Sequence, residues 1–228
     1  MSDPGRHRAV RSFVVRGGRI TDAQERALAR LWPRYGLEFE PVMLNLAARF
    51  GRDAPRTLEI GFGNGEHLLD LAGRHPQRDF IGIEVHRPGI GHLLLALEQH
   101  ALSNVRVICH DAVEVLQRQL PAASLDEILI LFPDPWPKKR HHKRRLVQSD
   151  FVRLISERLR AGGTLRLATD WQPYAQQALD VLHAEPSLVN LSETGGFVPH
   201  PAERAPTRFE RRGTRLGHQV YDLAFMRK

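Results

Sequence analysis

Cysteine is scarce in this 228-residue sequence, and long apolar runs are missing. The single cysteine, Cys109, rules out an intrachain disulfide and is typical of a reducing compartment. No apolar stretch approaches the roughly 18 residues that a membrane-spanning helix requires, so no membrane partner is expected. Because the first eight residues are polar, we expect no secretion signal and a cytoplasmic protein.

Acidic residues are fewer than basic ones, with 26 Asp and Glu against 33 Lys and Arg. The resulting net charge of +7 favours a polyanionic partner, either a nucleic acid or an acidic membrane surface. Many basic proteins bind no such partner, so the position of the charge along the chain matters more than its sum.

The first fifty residues differ in character from the rest of the chain. Five arginines alternate there with short apolar pieces, namely Arg6, Arg8, Arg11, Arg16 and Arg19. Thr21 predicts the N-cap of a helix that the Trp32-Pro33 pair breaks, and residues 41–50 predict another helix. We therefore predict a basic N-terminal extension with helices over residues 1–50 and a separate domain over residues 51–228.

From residue 57 onwards, apolar runs alternate with amphipathic stretches. The apolar runs are Thr57–Gly61, Asp79–Val85, Val105–Cys109, Asp126–Phe132 and Thr164–Thr169. Helix-like stretches lie between them at Glu66–Arg74, Pro88–His100, Ala112–Leu120, Ser149–Arg160 and Pro173–His183. The alternation predicts an α/β fold with a mostly parallel sheet and helices on both faces. A last strand-like run, Gln219–Met226, has no helix after it.

Each of the five predicted strands ends at a carboxylate. In chain order these are Glu59, Glu84, Asp111, Asp134 and Asp170. Ligands of open α/β sheets bind outside the carboxyl ends of the strands. One or two acidic residues there would mean little, because loops often begin with aspartate, but five indicate a binding edge.

A glycine loop, Gly61-Phe62-Gly63-Asn64-Gly65, follows the first strand. Glycine lets the backbone approach a ligand closely, and an acidic residue after the next strand, Glu84, can hold a ribose. NAD and S-adenosylmethionine both carry a ribose, and a tight strand–helix turn is the plain alternative. The loop lacks the extra residue of the dinucleotide fingerprint, and Glu59 would repel a pyrophosphate but attract a sulfonium. These two details favour S-adenosylmethionine.

The segment Phe132-Pro133-Asp134-Pro135-Trp136-Pro137 closes the fourth predicted strand. Each proline fixes its own φ and favours extended geometry in the preceding residue, so the segment should hold Asp134 rigidly at the sheet edge. A carboxylate there can accept hydrogen bonds from N1–H and the N2 amino group of guanine. Trp136 is a candidate stacking surface or pocket lid. A rigid loop with a packed tryptophan is the alternative.

A run of basic side chains follows, from Lys138 to Arg145. A solvated surface is the usual meaning of such a run, but this one adjoins the predicted binding edge and suits a phosphate backbone. The residues predicted to contact RNA are Arg140, His141, His142, Lys143, Arg144 and Arg145. Because no cysteine or patterned carboxylate lies near the two histidines, no metal site is predicted.

These motifs resemble those of the bacterial tRNA (guanine-N7-)-methyltransferase family over most of the chain. The matching segments are Arg11–Val14, Gly18–Thr21, Leu31–Pro33, Leu58–Gly65, Gly82–Val85, Phe132–Trp136 with the basic run, Ala168–Asp170 and Thr207–Glu210. The glycine loop is generic, whereas the Asp-Pro-Trp segment with its basic run and the late Thr-x-Phe-Glu are specific. Pro137 departs slightly from the family pattern and would stiffen the loop.

The resemblance implies a Rossmann-like class I methyltransferase fold, with a mostly parallel seven-stranded sheet and an antiparallel last strand. Residues 51–228 would then form an S-adenosylmethionine-dependent methyltransferase domain. The implied cofactor-binding residues are Glu59, Gly61, Gly63, Glu84, Asp111 and Asp134. The residues implied at the substrate, guanosine 46 in the variable loop of tRNA, are Lys138, Asp170, Thr207, Arg208, Phe209 and Glu210.

Methylation at guanine N7 needs no general base, since N7 carries a lone pair and no proton. Asp134 is therefore predicted as the catalytic residue, either orienting the guanine or stabilising its developing positive charge. Two rival classes stay open: an NAD-dependent oxidoreductase and a non-catalytic RNA-binding module. The sequence leaves the oligomeric state open, with a monomer slightly favoured over a homodimer.

Overall fold

The computed structural model describes residues 12–13, 18–202, 204, 210–211, 217 and 219–228. Its centre is a seven-stranded sheet in the order β3-β2-β1-β4-β5-β7-β6. The strands are β1 Arg56–Ile60, β2 Asp79–Ile83, β3 Val105–Ile108, β4 Leu125–Leu131, β5 Leu159–Thr169, β6 Leu188–Asn190 and β7 Tyr221–Arg227. Of the basic N-terminal residues, Arg6, Arg8, Arg11 and Arg16 lie outside the described residues.

The pairing of the strands confirms the predicted Rossmann-like class I architecture. Strands β1 to β5 pair in parallel, and β7 runs antiparallel to both β5 and β6. The short strand β6 was not predicted from hydropathy, because three residues are too few to show an alternating pattern.

Helices cover both faces of the sheet. They are α1 Asp22–Tyr35, α2 Leu46–Phe50, α3 Glu66–Arg74, α4 Arg87–Gln99, α5 Ala112–Arg118, α6 Ser149–Arg158 and α7 Gln172–His183. A 3-10 helix spans Lys139–Arg144. Apolar residues of α1, α3 and α4 pack with β2 and β3, while those of α5, α6 and α7 form a second core with the other face.

The helices before β1 differ from their sequence prediction. Thr21 caps α1 as predicted, but the Trp32-Pro33 pair does not end this helix, which continues to Tyr35. Burial of Leu31 and Tyr35 on either side of the proline holds the last turn in place. Helix α2 is shorter than predicted and begins only after Asn45, whose side chain accepts the Ala48 N–H.

Helix α1 packs closely against α4. A Cβ atom at Gly91 of α4 would lie 2.7 Å from the Cβ of Gln24, so this glycine permits the close approach of the two helices. The boundary at residue 50 stays a prediction, and α1 on its N-terminal side contributes buried residues to the core. Within the described ranges, no helix combines the length and the apolar character needed to cross a membrane.

Candidate functional site

The five predicted carboxylates follow or close parallel strands and therefore lie along one edge of the sheet. Across the sheet, from β3 to β5, their spatial order is Asp111, Glu84, Glu59, Asp134 and Asp170. The topological switch point of the sheet lies between β1 and β4, where open α/β sheets bind ligands. What the five side chains contact differs along this edge.

The glycine loop is left-handed at three positions. The φ angles of Gly61, Gly63 and Gly65 are +74°, +61° and +79°. A Cβ atom at Gly61 or Gly63 would meet nothing within 4 Å, so both glycines border open space at the sheet edge. At Gly89 of α4, a Cβ would lie 2.1 Å from the Gly63 carbonyl oxygen. Gly89, which sequence reasoning missed, thus lets α4 support the loop.

Glu84 holds the glycine loop through its carboxylate. Its Oε2 accepts the Gly63 N–H at 2.8 Å, and its Oε1 accepts the N–H groups of Val85 and His86 at 2.7 and 3.0 Å. A carboxylate has about four acceptor positions, so capacity for one further donor, such as a ribose hydroxyl, is left.

Glu59 and Asp111 are also engaged by nearby protein groups. Glu59 is buried, and its Oε2 lies 3.0 Å from Nδ1 of the equally buried His67. Asp111 caps α5, because its Oδ1 accepts the Val113 N–H at 2.9 Å. His67 was missed in the sequence, since a histidine in the first turn of a helix carries no pattern that would mark its partner.

The Asp134 segment is not extended as predicted. Phe132 and Trp136, which both precede prolines, adopt φ angles of +52° and +43°. The prolines disfavour right-handed helical geometry, and here the chain turns through the left-handed region instead. Asp134 itself is exposed, and its carboxylate makes no hydrogen bond or ion pair with any described residue.

The Arg145 side chain holds this segment in place through hydrogen bonds. The guanidinium is buried: Nε donates to the Pro135 carbonyl at 2.9 Å, and Nη1 lies 3.4 Å from the Pro173 carbonyl oxygen. It also lies over the Tyr174 ring, and burial lowers the pKa of Arg145. The prediction that Arg145 contacts RNA is therefore wrong, because its donors point into the protein.

Some of the remaining basic side chains are exposed, and others contact Trp136. Lys138, Lys139, Arg140 and Lys143 are exposed. His142 is half-buried, and its carbonyl accepts the Arg145 N–H at 3.0 Å. The exposed members keep their charge available to a ligand.

Trp136 is packed rather than open. The Arg144 guanidinium lies 4.9 Å from the ring centroid, and the His141 ring meets it edge-on at 5.8 Å. Its Nε1–H donates to the Ser12 carbonyl at 3.0 Å. Burial, and then the neighbouring Arg140 and Arg144, lower the pKa of His141. The geometry favours the alternative of a packed tryptophan over a stacking surface.

Asp170 and Trp171 follow β5 beside the Asp134 segment. The register pairs Leu131 with Ala168, so Asp134 and Trp171 each lie three residues beyond that pair. The Trp171 N–H donates to Oγ1 of Thr169 at 3.3 Å, which fixes the start of α7. The indole is 37% exposed, and sequence reasoning did not single it out.

Glu210, predicted at the substrate, is engaged by a buried arginine. Arg204 donates from Nη1 to Glu210 at 2.7 Å and from Nη2 to Asp222 of β7 at 3.1 Å. Burial raises the pKa of Asp222, against the opposing effect of Arg204. Arg204 and Asp222 were not predicted. Thr207, Arg208 and Phe209 lie outside the described residues.

No group of three or more histidine, cysteine or acidic side chains suited to a metal ion occurs among the described residues.

Comparison with known families places most of the chain among methyltransferases. Residues 53–223 match a family model described as "Putative methyltransferase". A relative from Leifsonia xyli subsp. xyli is 59% identical, and the match covers 94% of each chain. One from Alkalilimnicola ehrlichii is 56% identical over 97% of this chain and 94% of the relative. Both relatives are named tRNA (guanine-N(7)-)-methyltransferase.

Solved structures of other methyltransferases share the fold. The 16S rRNA methyltransferase KamB aligns with a TM-score of 0.57 at 16% identity, covering 92% of this chain and 96% of that one. The aminoglycoside resistance methyltransferase NpmB1 aligns with a TM-score of 0.53 at 19% identity, covering 80% and 92%. At such low identity the likeness concerns the fold alone.

Proposed function

Because the chain belongs to the tRNA (guanine-N7-)-methyltransferase family, we propose that it methylates N7 of guanosine 46 in the variable loop of tRNA. S-adenosylmethionine is the methyl donor. The observation that carries the proposal is the exposed Asp134 carboxylate, which lies in the segment between the end of β4 and the basic 3-10 helix.

The residues around β1 and β2 suit S-adenosylmethionine. Gly61 and Gly63 border open space on the side where a cofactor would approach the loop, and Glu84 retains acceptor capacity for a ribose hydroxyl. Glu59 places a buried carboxylate where a positively charged ligand would be attracted. Asp111, at the end of β3, would lie at the far end of the same ligand. The cofactor supplies an electrophilic methyl group.

The protein has little proton chemistry to perform, since guanine N7 already carries a lone pair. Its task is to place N7 in line with the methyl group and to stabilise the positive charge that develops on the purine. Asp134 suits both tasks, because its carboxylate makes no hydrogen bond within the described part of the chain and lies at the switch point. It would accept the N1–H and N2–H donors of the guanine.

The tRNA backbone would follow the exposed basic side chains. Arg140, Lys143 and Lys138 project beside the Asp134 segment, which suits phosphate contacts that orient the RNA without reading its sequence. We assign Asp170 and the Thr207–Glu210 segment to the substrate nucleoside on the family resemblance. Arg204 would anchor that segment to β7 through Glu210 and Asp222.

The decisive test is incubation with labelled S-adenosylmethionine and an unmodified tRNA transcript, followed by chemical cleavage at 7-methylguanosine. We expect incorporation of label and a single strand break at position 46. A transcript with adenosine at that position is the matched control and should accept no methyl group. Label incorporated without cleavage at 46 would refute the proposed target, and no incorporation would refute the activity.

The rival oxidoreductase class is tested by binding alone. Equilibrium dialysis should show retention of S-adenosylmethionine and none of NAD, because Glu59 would repel a pyrophosphate. Tight NAD binding would overturn the assignment of the cofactor.

A further inference from the structure

The three tryptophans of the chain differ sharply in what they contact. Trp32 donates from Nε1 to Glu38, and its ring packs over Gly36. Trp136 donates to Ser12 and is flanked by Arg144 and His141. Trp171 is 37% exposed, and within the described part of the chain its indole makes no hydrogen bond and no ring or cation contact. An exposed indole without such contacts, beside a predicted binding edge, is a candidate for contact with a ligand.

Trp171 and Asp134 follow the ends of two neighbouring strands, β5 and β4. Strands β4 and β5 pair in parallel up to Leu131 and Ala168, and Phe132 N–H extends the pairing to the Ala168 carbonyl at 2.8 Å. Adjacent strands are about 4.8 Å apart, so the two loops that carry Asp134 and Trp171 start as neighbours at the edge of the sheet.

The two loops that carry Asp134 and Trp171 are fastened to each other. Arg145 donates to Pro135 on one side and reaches Pro173 on the other, so one buried guanidinium sets the spacing between the loops. The backbone of Trp171 is further held by Thr169. The backbone of Trp171 is thus fixed in position, while its indole ring remains exposed to a ligand.

We propose that Trp171 is the base-stacking residue of the substrate site, with its indole packing on the face of the target guanine while Asp134 accepts hydrogen bonds from the guanine edge. This inference rests on the proposed function and adds a residue to the same site. A base withdrawn from its RNA stack needs a new aromatic surface, which proteins supply with aromatic side chains. Trp136 is unsuited to this role, because Arg144 already lies against its ring.

The test compares Trp171→Leu, which removes the aromatic ring, with Trp171→Phe, which keeps one. Loss of one base–aromatic stack corresponds to about 10- to 100-fold in kcat/KM for tRNA. We expect that loss for Trp171→Leu, recovery to within about fivefold for Trp171→Phe, and unchanged affinity for S-adenosylmethionine in both. Met43→Ala is the matched control, since Met43 is also exposed, at 51%. Its neighbour Leu44 donates its N–H to the Gln119 carbonyl at the C-terminal end of α5, away from the candidate site.

A second readout follows stacking without turnover. A tRNA that carries at position 46 a fluorescent guanosine analogue with N1–H and the N2 amino group intact should be quenched by the wild type and by Trp171→Phe, in the presence of S-adenosylhomocysteine. With Trp171→Leu the fluorescence should rise, because the base leaves its RNA stack without gaining a new one. Equal quenching by wild type and Trp171→Leu would overturn the inference, as would a failure of phenylalanine to restore activity. If the wild type quenches the probe but methylates no tRNA, the proposed function fails while the stacking role stands.

Discussion

Both halves of the sheet edge bear acidic residues, but the contacts of Asp134 in one half differ from those of the three carboxylates in the other half. In the half that we propose to bind the cofactor (the cofactor half), formed by the ends of β1, β2 and β3, the carboxylates of Glu59, Glu84 and Asp111 are all engaged by protein groups. In the half that we propose to bind the substrate (the substrate half), formed by the ends of β4 and β5, Asp134 and the indole of Trp171 make no such contacts with described residues.

The difference shows how each half achieves its order. The cofactor half is preorganised by its own side chains, since three backbone N–H groups converge on Glu84 and hold the glycine loop before any ligand arrives. In the substrate half the backbone is held from beneath by Arg145, which leaves the ligand-facing groups open. A guanine extruded from RNA can then meet groups that have no internal partner to exchange.

The largest effect is expected for Asp134→Asn, which removes the carboxylate proposed to bind the guanine. We expect kcat/KM for tRNA to fall about 30- to 1,000-fold, because one electrostatic contact in the transition state is lost. The melting temperature should not change, since no described residue bonds to this carboxylate. Glu157→Gln, on the distant end of α6, is the control for loss of an acidic charge. Near wild-type turnover by Asp134→Asn would remove the distinction between the two halves.

Glu84→Gln should instead damage both the fold of the loop and cofactor binding. The glutamine side-chain amide would place its own N–H donors against the backbone N–H groups that Glu84 accepts. Losing one such charge-assisted hydrogen bond costs about 2 kcal/mol. We expect at least tenfold weaker S-adenosylmethionine binding by calorimetry together with a lower melting temperature. Glu193→Gln, an exposed acidic change in the turn after β6, should alter neither quantity. A loss of turnover at normal cofactor affinity would contradict the assignment.

Arg145 should behave as a support of the substrate half rather than as an RNA ligand. Arg145→Met leaves the Pro135 carbonyl without its donor, so we expect about 1–3 kcal/mol less stability by urea denaturation and about tenfold lower kcat. The salt dependence of tRNA binding should stay as in the wild type. An altered salt slope with unchanged stability would restore the original prediction of a phosphate contact.

The smallest effect is expected at the exposed basic residues. The double variant Arg140→Ala and Lys143→Ala should weaken tRNA binding several-fold and reduce the slope of log K against log salt by about 1–2, as lost phosphate contacts do. Stability and S-adenosylmethionine affinity should be preserved, because both side chains are exposed. A slope identical to that of the wild type would identify the 3-10 helix as a solvated surface only.

Much of the fold was predictable because its signals are local. The alternation of apolar runs with amphipathic stretches predicted strands β1 to β5 and their helices, since each element buries one face of its own residues. The predicted end of α1 at the Trp32-Pro33 pair was wrong, because burial of Leu31 and Tyr35 outweighs the helix-breaking tendency of the proline. Strand β6 gave no signal because it has only three residues.

The gathering of the acidic residues at one edge of the sheet was predictable, but the contacts of their side chains were not. The sequence by itself determined that acidic residues end five strands, that a proline-flanked aspartate follows the fourth, and that basic residues come next. Parallel strands bring their carboxyl ends to one edge, which makes that grouping a consequence of order along the chain.

Only the tertiary structure decided which of these groups are left for a ligand. Arg145 reaches Pro173, 28 residues away, and Trp136 reaches Ser12, 124 residues away. Whether a charged or aromatic side chain faces a ligand or the protein depends on such distant partners, which leave no periodic pattern in the chain. For that reason the sequence indicated the binding edge, while the packed structure separated Trp136 and Arg145, which support it, from Asp134 and Trp171, which remain open.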